Sequence, residues 1–391
     1  MRSGQPRTAR AELGAGSAFR MPAEWEPHAA TWLAWPHHPT DFVGKLEAVE
    51  WVVVEMVRIL SEVERVRVIV RDASERRRAL ERLSRTGVRL DRVDFFASPT
   101  NRSWTRDFLP SFVVGRGSPK KREVAAVKWR FNGWARYRDH GLDERSGRRV
   151  AELCPRVFRP NIAVGGDELP LVLEGGAIDV DGEGTLLAEE RCLLDGPRGR
   201  NPGATKPALE AALGKALGVE KALWVRGGIA GDDTAGHVDD FVRFVAPGRV
   251  VLCRETRRAD PNFERLRTAR ASLQGARDAR GRRLDIVDLP MPAPVTYAGE
   301  RLPASYANFY LANRRVIVPV FNDAADSAAL AVLQQLFPER RVIGVYSRDL
   351  VLGQGTLHCS TQQEPAGRGF EARFMKPLRL RAARLPPGLG G

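Results

Sequence analysis

Leu46-Glu-Ala-Val-Glu-Trp-Val-Val-Val-Glu-Met-Val-Arg-Ile-Leu-Ser-Glu-Val-Glu-Arg-Val-Arg-Val-Ile-Val70 decides the fold class. Val49, Val52, Val53, Met56, Ile59 and Leu60 fall on one face at helical spacing, so Leu46 to Glu64 reads as an amphipathic helix. From Arg65 to Val70 the β-branched content rises, and the segment reads as a strand. A second helix, Glu75 to Thr86, follows at once, and Val88 to Phe96 leads to the next strand edge. Upstream, Thr31 to Trp35 is another strand. Strands alternating with helices at this spacing indicate an α/β fold.

The alternation continues along the chain. Strand regions are expected at Ala125 to Phe131, Leu171 to Asp181, Lys221 to Val225, Asp240 to Leu252, Leu284 to Leu289, Asn308 to Val320 and Val342 to Val345. Helices are expected at Lys206 to Leu217, Pro261 to Leu273 and Ala324 to Phe337. No interval is rich enough in Pro and Gly to be an interdomain linker. Residues 1–18 and 376–391 lack periodicity and are expected to be disordered. Repeated strand–helix–strand units suggest a circular arrangement, which residue-level self-similarity is too weak to establish.

The 391 residues are 43% hydrophobic and 28% charged, enough apolar material for a large core. A net charge of +14 raises the question of nucleic acid or an anionic membrane surface. Arg is mixed with Asp and Glu, however, and the basic runs Arg76 to Arg78, Lys120 to Arg122 and Arg379 to Arg384 are short, so neither partner is expected. The four cysteines lie far apart, without a C-x-x-C pair or zinc spacing. Met1 to Phe19 has no apolar stretch of the signal-peptide kind, and no apolar run is long enough to span a bilayer, which points to the cytoplasm.

Four short segments place polar residues beside glycine or at strand ends: Trp104-Thr-Arg-Asp107, Leu173-Glu-Gly-Gly176, Gly236-His-Val-Asp239 and Gly355-Thr-Leu-His-Cys359. Taken singly, each has an ordinary reading. Asp107 pairs with Arg106 or another Arg, Glu174-Gly-Gly is a turn, His237 is a satisfied buried histidine, and Cys359 is a small core residue. Together they suit hydrolysis of a guanidinium group. That cation is planar and offers a fork of N–H donors, which carboxylates such as Asp107 and Asp239 grip by charge-assisted hydrogen bonds. Alternation along an extended segment would put His237 and Asp239 on one face. Cys359 is the nucleophile, His237 the acid and base, and Glu174 shares the proton traffic. This chemistry requires no metal and no organic cofactor.

At these residues the chain resembles the agmatine deiminases of the wider peptidyl-arginine deiminase and guanidino-group-modifying superfamily. The likeness begins at Met21-Pro-Ala-Glu-Trp-Glu-Pro-His-Ala-Ala-Thr-Trp-Leu-Ala-Trp-Pro36 and includes the four segments above. It extends through Gly231-Asp-Asp-Thr-Ala-Gly-His-Val-Asp239 and Ala304-Ser-Tyr-Ala-Asn-Phe-Tyr310 to His358-Cys-Ser-Thr-Gln-Gln363. The resemblance implies that residues 19–375 form a single catalytic domain, a five-bladed pseudosymmetric α/β-propeller of ββαβ modules with a central site. It gives Cys359, His237 and Glu174 catalytic roles, and Asp107 and Asp239 the guanidinium. It also implies Trp104 beside the substrate's alkyl chain, Asp233 near a distal amine, and a homo-oligomer. Three positions depart from the pattern: Arg102 replaces a frequent Asp, Leu109-Pro110 replaces Gly-Pro, and Thr356 replaces an Asn. Arg136 offers a contact for a carboxylate-bearing substrate.

The resemblance thus points to hydrolysis of agmatine to N-carbamoylputrescine and ammonia through a covalent thiouronium intermediate. Arginine, peptidyl arginine or another guanidino compound are rival substrates, and an amidinotransferase is a weaker alternative. A basic nucleic-acid-binding protein with structural Cys and His is the rival of another class. Salt-sensitive binding and no ammonia release from agmatine would mark it.

Overall fold

The computed structural model describes residues 18–194 and 198–370. The expected terminal disorder, apart from exposed Ala18, and the last residues of the 19–375 unit lie outside the described residues. Five sheets of three or four strands organise the chain. Their common plan is clearest in the third, where Ile178–Val180 and Thr185–Glu189 form an antiparallel hairpin. Helix Lys206–Leu217 then returns the chain to Lys221–Val225, which pairs in parallel.

The fourth sheet repeats this with Val242–Ala246, Arg249–Arg254, helix Pro261–Leu273 and Asp285–Pro290. The fifth does so with Tyr310–Ala312, Arg315–Val320, helix Asp326–Leu336 and Arg341–Tyr346. The second uses Ser111–Gly115, Val124–Val127, helix Gly141–Ala151 and Val157–Phe158, with Phe19–Arg20 added at its edge. In the first sheet Gln362–Pro365 pairs antiparallel with His28–Ala34, which continues in parallel to Arg65–Val70 and Val93–Ala97. The last strand among the described residues therefore joins the sheet that contains His28–Ala34.

Local chemistry sets these boundaries. Helix Lys206–Leu217 starts where the Thr205 side chain accepts from the backbone N–H of Ala208, and ends at Gly218 with φ +68. Helix Pro261–Leu273 is capped by Asp260, with proline in its first turn. Helix Leu46–Ser61 buries Val49, Val53, Met56 and Leu60, as its spacing predicts.

The expected Asp240-to-Leu252 strand is two strands, because Pro247 and Gly248, the latter at φ +73, turn the chain back. The expected strand at Ala125 to Phe131 ends at Val127, and Leu171 to Asp181 forms a strand only at Ile178–Val180. Helix Gly141–Ala151 escaped the sequence reading because its buried face includes Asp143 and Glu144, satisfied by backbone donors and Lys128. No helix among the described residues is long and apolar enough to cross a membrane.

Candidate active site

The polar segments occupy equivalent places. Asp107 precedes Ser111–Gly115, Glu174 precedes Ile178–Val180, His237 and Asp239 precede Val242–Ala246, and Cys359 precedes Gln362–Pro365. Asn308 precedes Tyr310–Ala312 in the same way. Each sheet therefore delivers its polar group just before one strand of its antiparallel pair.

The turns are tied to one another by main-chain bonds. The short helix Thr105–Phe108 carries Asp107, and the Arg106 backbone N–H donates to the Cys359 carbonyl at 3.1 Å. Thr105 Oγ1 donates to the Ser360 carbonyl at 2.8 Å. Arg106 does not pair with Asp107; its guanidinium donates to Gln363 Oε1 at 2.6 Å and to Glu24 Oε2 at 3.5 Å. The Glu174-Gly-Gly turn packs its Gly176 N–H onto Asp107 Oδ1 at 3.1 Å. His237 and Asp239 do not share an extended strand. His237 caps a single 3-10 turn, Val238–Asp240, entered through Gly236 at φ +112. Both side chains still reach the centre, because that tight turn folds them back together, with His237 Nδ1 4.0 Å from Asp239 Oδ1.

At the centre, fully buried His237 sits among three carboxylates. Its Nε2 lies 3.5 Å from Glu174 Oε2, and its Nδ1 lies 3.8 Å from Asp107 Oδ1. Cys359 Sγ accepts from Asn308 Nδ2 at 3.1 Å and lies 3.6 Å from Asp239 Oδ2. Asp239 thus stands between the sulfur and the imidazole. Asn308 fixes the nucleophile's turn, since its Oδ1 accepts from Thr356 Oγ1 at 2.7 Å and from the backbone N–H groups of His358 and Cys359 at 3.1 and 3.3 Å. Thr356, a departure from the family pattern, is therefore part of the support for Cys359.

A second layer orients the acids. Arg200 Nε donates to both Glu174 oxygens at 2.8 and 3.0 Å, and Trp134 Nε1 donates to Asp107 Oδ2 at 2.8 Å. His358 Nδ1 lies 2.6 Å from Asp239 Oδ2, and its Nε2 lies 2.7 Å from Glu24 Oε2. Arg243 closes this chain on Glu24 at 3.0 Å. Sequence reasoning assigned no role to Arg200, Asn308, His358, Trp134 or Glu24. Only Asn308 carried a usable signal, its place before a hairpin strand.

Crowded carboxylates set the protonation states. Burial alone would lower the His237 pKa, but Asp107, Glu174 and Asp239 outweigh it and hold the imidazole at about 9. Burial raises Asp107 to about 6, with Asp239 and Glu174 adding to the rise and His237 opposing it. Glu174 stays below its ordinary value, because Arg200 and His237 overcome the effect of burial. Burial, then Asp239, Asp240 and Asp107, push the Cys359 thiol well above its usual range. The centre therefore carries an imidazolium and a neutral thiol, and its acids favour a planar cation placed among them.

Donor atoms of Asp239, Asp240 and Cys359 lie within 4.8 Å of one another, as do those of Glu174, Cys192 and His237. Glu174 is already bidentate to Arg200, and burial raises the Cys192 thiol, so the second group is poorly suited to a metal. The first coincides with the centre just described. Above it opens a cavity of about 230 Å³ lined by Trp104, Asp107, Trp134, Tyr137, Asp233 and Cys359, among others. Asp233 accepts from Tyr137 Oη at 2.7 Å and from Arg136 at 3.3 Å through one oxygen, Oδ2.

The family profile described as Porphyromonas-type peptidyl-arginine deiminase matches residues 20–365. The chain belongs to that family. An agmatine deiminase of Ectopseudomonas mendocina (strain ymp) is 36% identical over 378 residues, covering 90% of this chain and 96% of that protein. Among solved structures, the agmatine deiminase of Enterococcus faecalis superposes with a TM-score of 0.79 at 31% identity, over 89% of this chain and 96% of that one. A C. jejuni agmatine deiminase variant with substrate bound gives a TM-score of 0.76 at 28% identity, over 89% and 97%. Membership of this family makes the chain an enzyme acting on a guanidino group, and its α/β fold matches those structures.

Proposed function

We propose that the chain is an agmatine deiminase, hydrolysing agmatine to N-carbamoylputrescine and ammonia. One observation carries the reading: a buried imidazolium and a thiol meet at the carboxylate of Asp239, with Asp107 and Glu174 around the same imidazole. Asp107 and Asp239 take the guanidinium N–H groups, and Trp104 flanks the alkyl chain in the cavity wall. Asp233 faces the distal amine. Its hold on Arg136 weakens any use of that arginine by a substrate carboxylate, which favours agmatine over arginine.

The arriving cation offsets the carboxylates that keep Cys359 protonated, so the thiol gives its proton to water in the cavity and the thiolate attacks the guanidinium carbon. His237 passes its proton to a terminal nitrogen of the tetrahedral adduct, and that nitrogen leaves as ammonia. Neutral His237 then takes a proton from the water that attacks the thiouronium carbon. Collapse of the second adduct breaks the C–S bond as its hydroxyl proton passes to the departing sulfur, freeing the ureido product and restoring the thiol. Glu174, held by Arg200, keeps the imidazole oriented throughout.

The same reading arranges the five sheets as five blades around this centre. It is supported by the hairpin–helix–strand plan that four of them share and by pairing of the last described strand with the first sheet. It also takes residues 19–375 as one catalytic domain, forming a cytoplasmic homo-oligomer without membrane or nucleic-acid partner. Against a nucleic-acid stripe stand surface arginines interleaved with acids, as Arg58 with Glu55 and Glu62, and Arg280 with Glu220.

The test is ammonia release from agmatine, arginine and a blocked arginine peptide. Agmatine is expected to have the highest kcat/KM, and a preference for arginine or the peptide overturns the substrate assignment. The pH profile follows from the two shifted groups. Asp107 binds the cation only when ionised, so kcat/KM is expected to fall as pH drops through about 6. His237 donates only when protonated, so kcat/KM falls again as pH rises through about 9. A profile still rising at that alkaline limb would remove His237 as the acid.

A further inference from the structure

The outer part of the cavity holds a carboxylate oxygen without a partner. Asp41 lines the cavity with a side chain only 10% exposed. Its Oδ1 is held from behind, with His38 Nδ1 at 3.0 Å and Arg102 Nε at 3.5 Å. Its Oδ2 is buried and meets no hydrogen-bond partner among the described residues. A buried acceptor left in that state is costly, so the site favours a donor that arrives from the cavity. Burial raises the Asp41 carboxyl, Asp139 and Asp233 add to the rise, and Arg102 and His38 oppose it.

Arg102 is not free to supply that donor. It donates through Nη1 to Asp139 Oδ2 at 3.0 Å, and its guanidinium carbon lies 4.3 Å from the centre of the Tyr137 ring. This departure from the family pattern therefore braces Asp41 while leaving one oxygen open. Gln354 lines the same cavity, and its Oε1 is likewise buried without a partner. On the far wall, Asp233 keeps one oxygen outside its bonds to Tyr137 and Arg136. A primary ammonium carries three N–H donors, and these acceptors are of the kind it needs.

Resting on the deiminase reading above, we propose that Asp41 is a specificity-determining residue of this enzyme. Its Oδ2 accepts a hydrogen bond from the terminal ammonium of the substrate, beside Gln354 Oε1. The contact selects guanidines that end in a cation over those of equal length that end in a methyl group or a carboxylate.

The experiment compares kcat/KM for agmatine and 1-butylguanidine, which has the same carbon chain without the amine, in the wild type and in Asp41→Asn. Loss of a hydrogen bond between charged groups is expected to lower the agmatine-to-butylguanidine ratio by about tenfold or more. An unchanged ratio, or an equal fall on both substrates, overturns the proposal, the latter by showing a structural role alone. A wild type that releases no ammonia from agmatine, or does not prefer it to butylguanidine, overturns the substrate reading and this inference together. A wild-type preference retained in full in Asp41→Asn overturns this inference alone.

Discussion

Cys359→Ala is expected to lower ammonia release from agmatine by at least about 10⁴-fold while leaving agmatine bound. Among the described residues, no other group near the centre replaces the sulfur. Cys192 is closest in kind, but its thiol donates to the Thr234 carbonyl at 3.7 Å and is raised by burial. Cys253 is buried against Ser305, and burial raises its thiol to about 12. Water without thiolate assistance faces a resonance-stabilised carbon. The carboxylates that grip the cation remain in the variant, so saturating agmatine should still raise its melting temperature. Occupancy at 100 times Kd corresponds to about 2.7 kcal/mol. Turnover by the variant near the wild-type rate would sink the covalent route; lost turnover with no thermal shift would mean that Cys359 serves binding rather than attack.

Much of this arrangement was legible in the chain itself, and what was missed has physical causes. The helix at Leu46–Ser61 and the strand at Arg65–Val70 were readable because one buries a face and the other is buried almost throughout. Helix Gly141–Ala151 was not, since paired charges in its buried face erase the apolar period. The Asn161–Val164 and Asp167–Pro170 hairpin was hidden because it is largely exposed, so little apolar alternation marks it. Residues of the centre were found where a reactive side chain sits beside glycine, as with His237 and Glu174. Arg200 and His358 act through those side chains, and nothing in their local sequence separates them from the many other polar residues. The error at His237-Val-Asp239 is instructive: spacing of two suggested a strand, yet a 3-10 turn closed by the Phe241 N–H onto the Val238 carbonyl gives the same convergence. Pattern identified which residues meet, but not the backbone that brings them together.

Gly176→Ala is the sharper test of that convergence, with an expected loss of about 10²-fold or more in kcat and little change in fold. The φ of Gly176 is not in the left-handed region, so alanine is compatible with the backbone. The obstacle is space. A Cβ there would stand 2.6 Å from His237 Nδ1 and 3.1 Å from both Asp107 Oδ1 and Asp239 Oδ1. The imidazole must shift, and the methyl group enters the volume between the two acids proposed to hold the guanidinium. Gly175→Ala supplies the contrast, because its Cβ would meet the backbone carbonyl oxygen of Arg106 at 2.4 Å. Backbone there is bonded to the Cys359 turn and cannot give way cheaply, so Gly175→Ala should lose stability, by about 1–3 kcal/mol, as well as rate. Thermal melts and kcat measured on both variants separate the cases. If Gly176→Ala turns agmatine over like the wild type, the imidazole and the two aspartates do not define the reacting volume, and the assignment of His237, Asp107 and Asp239 to a single guanidinium has to be abandoned.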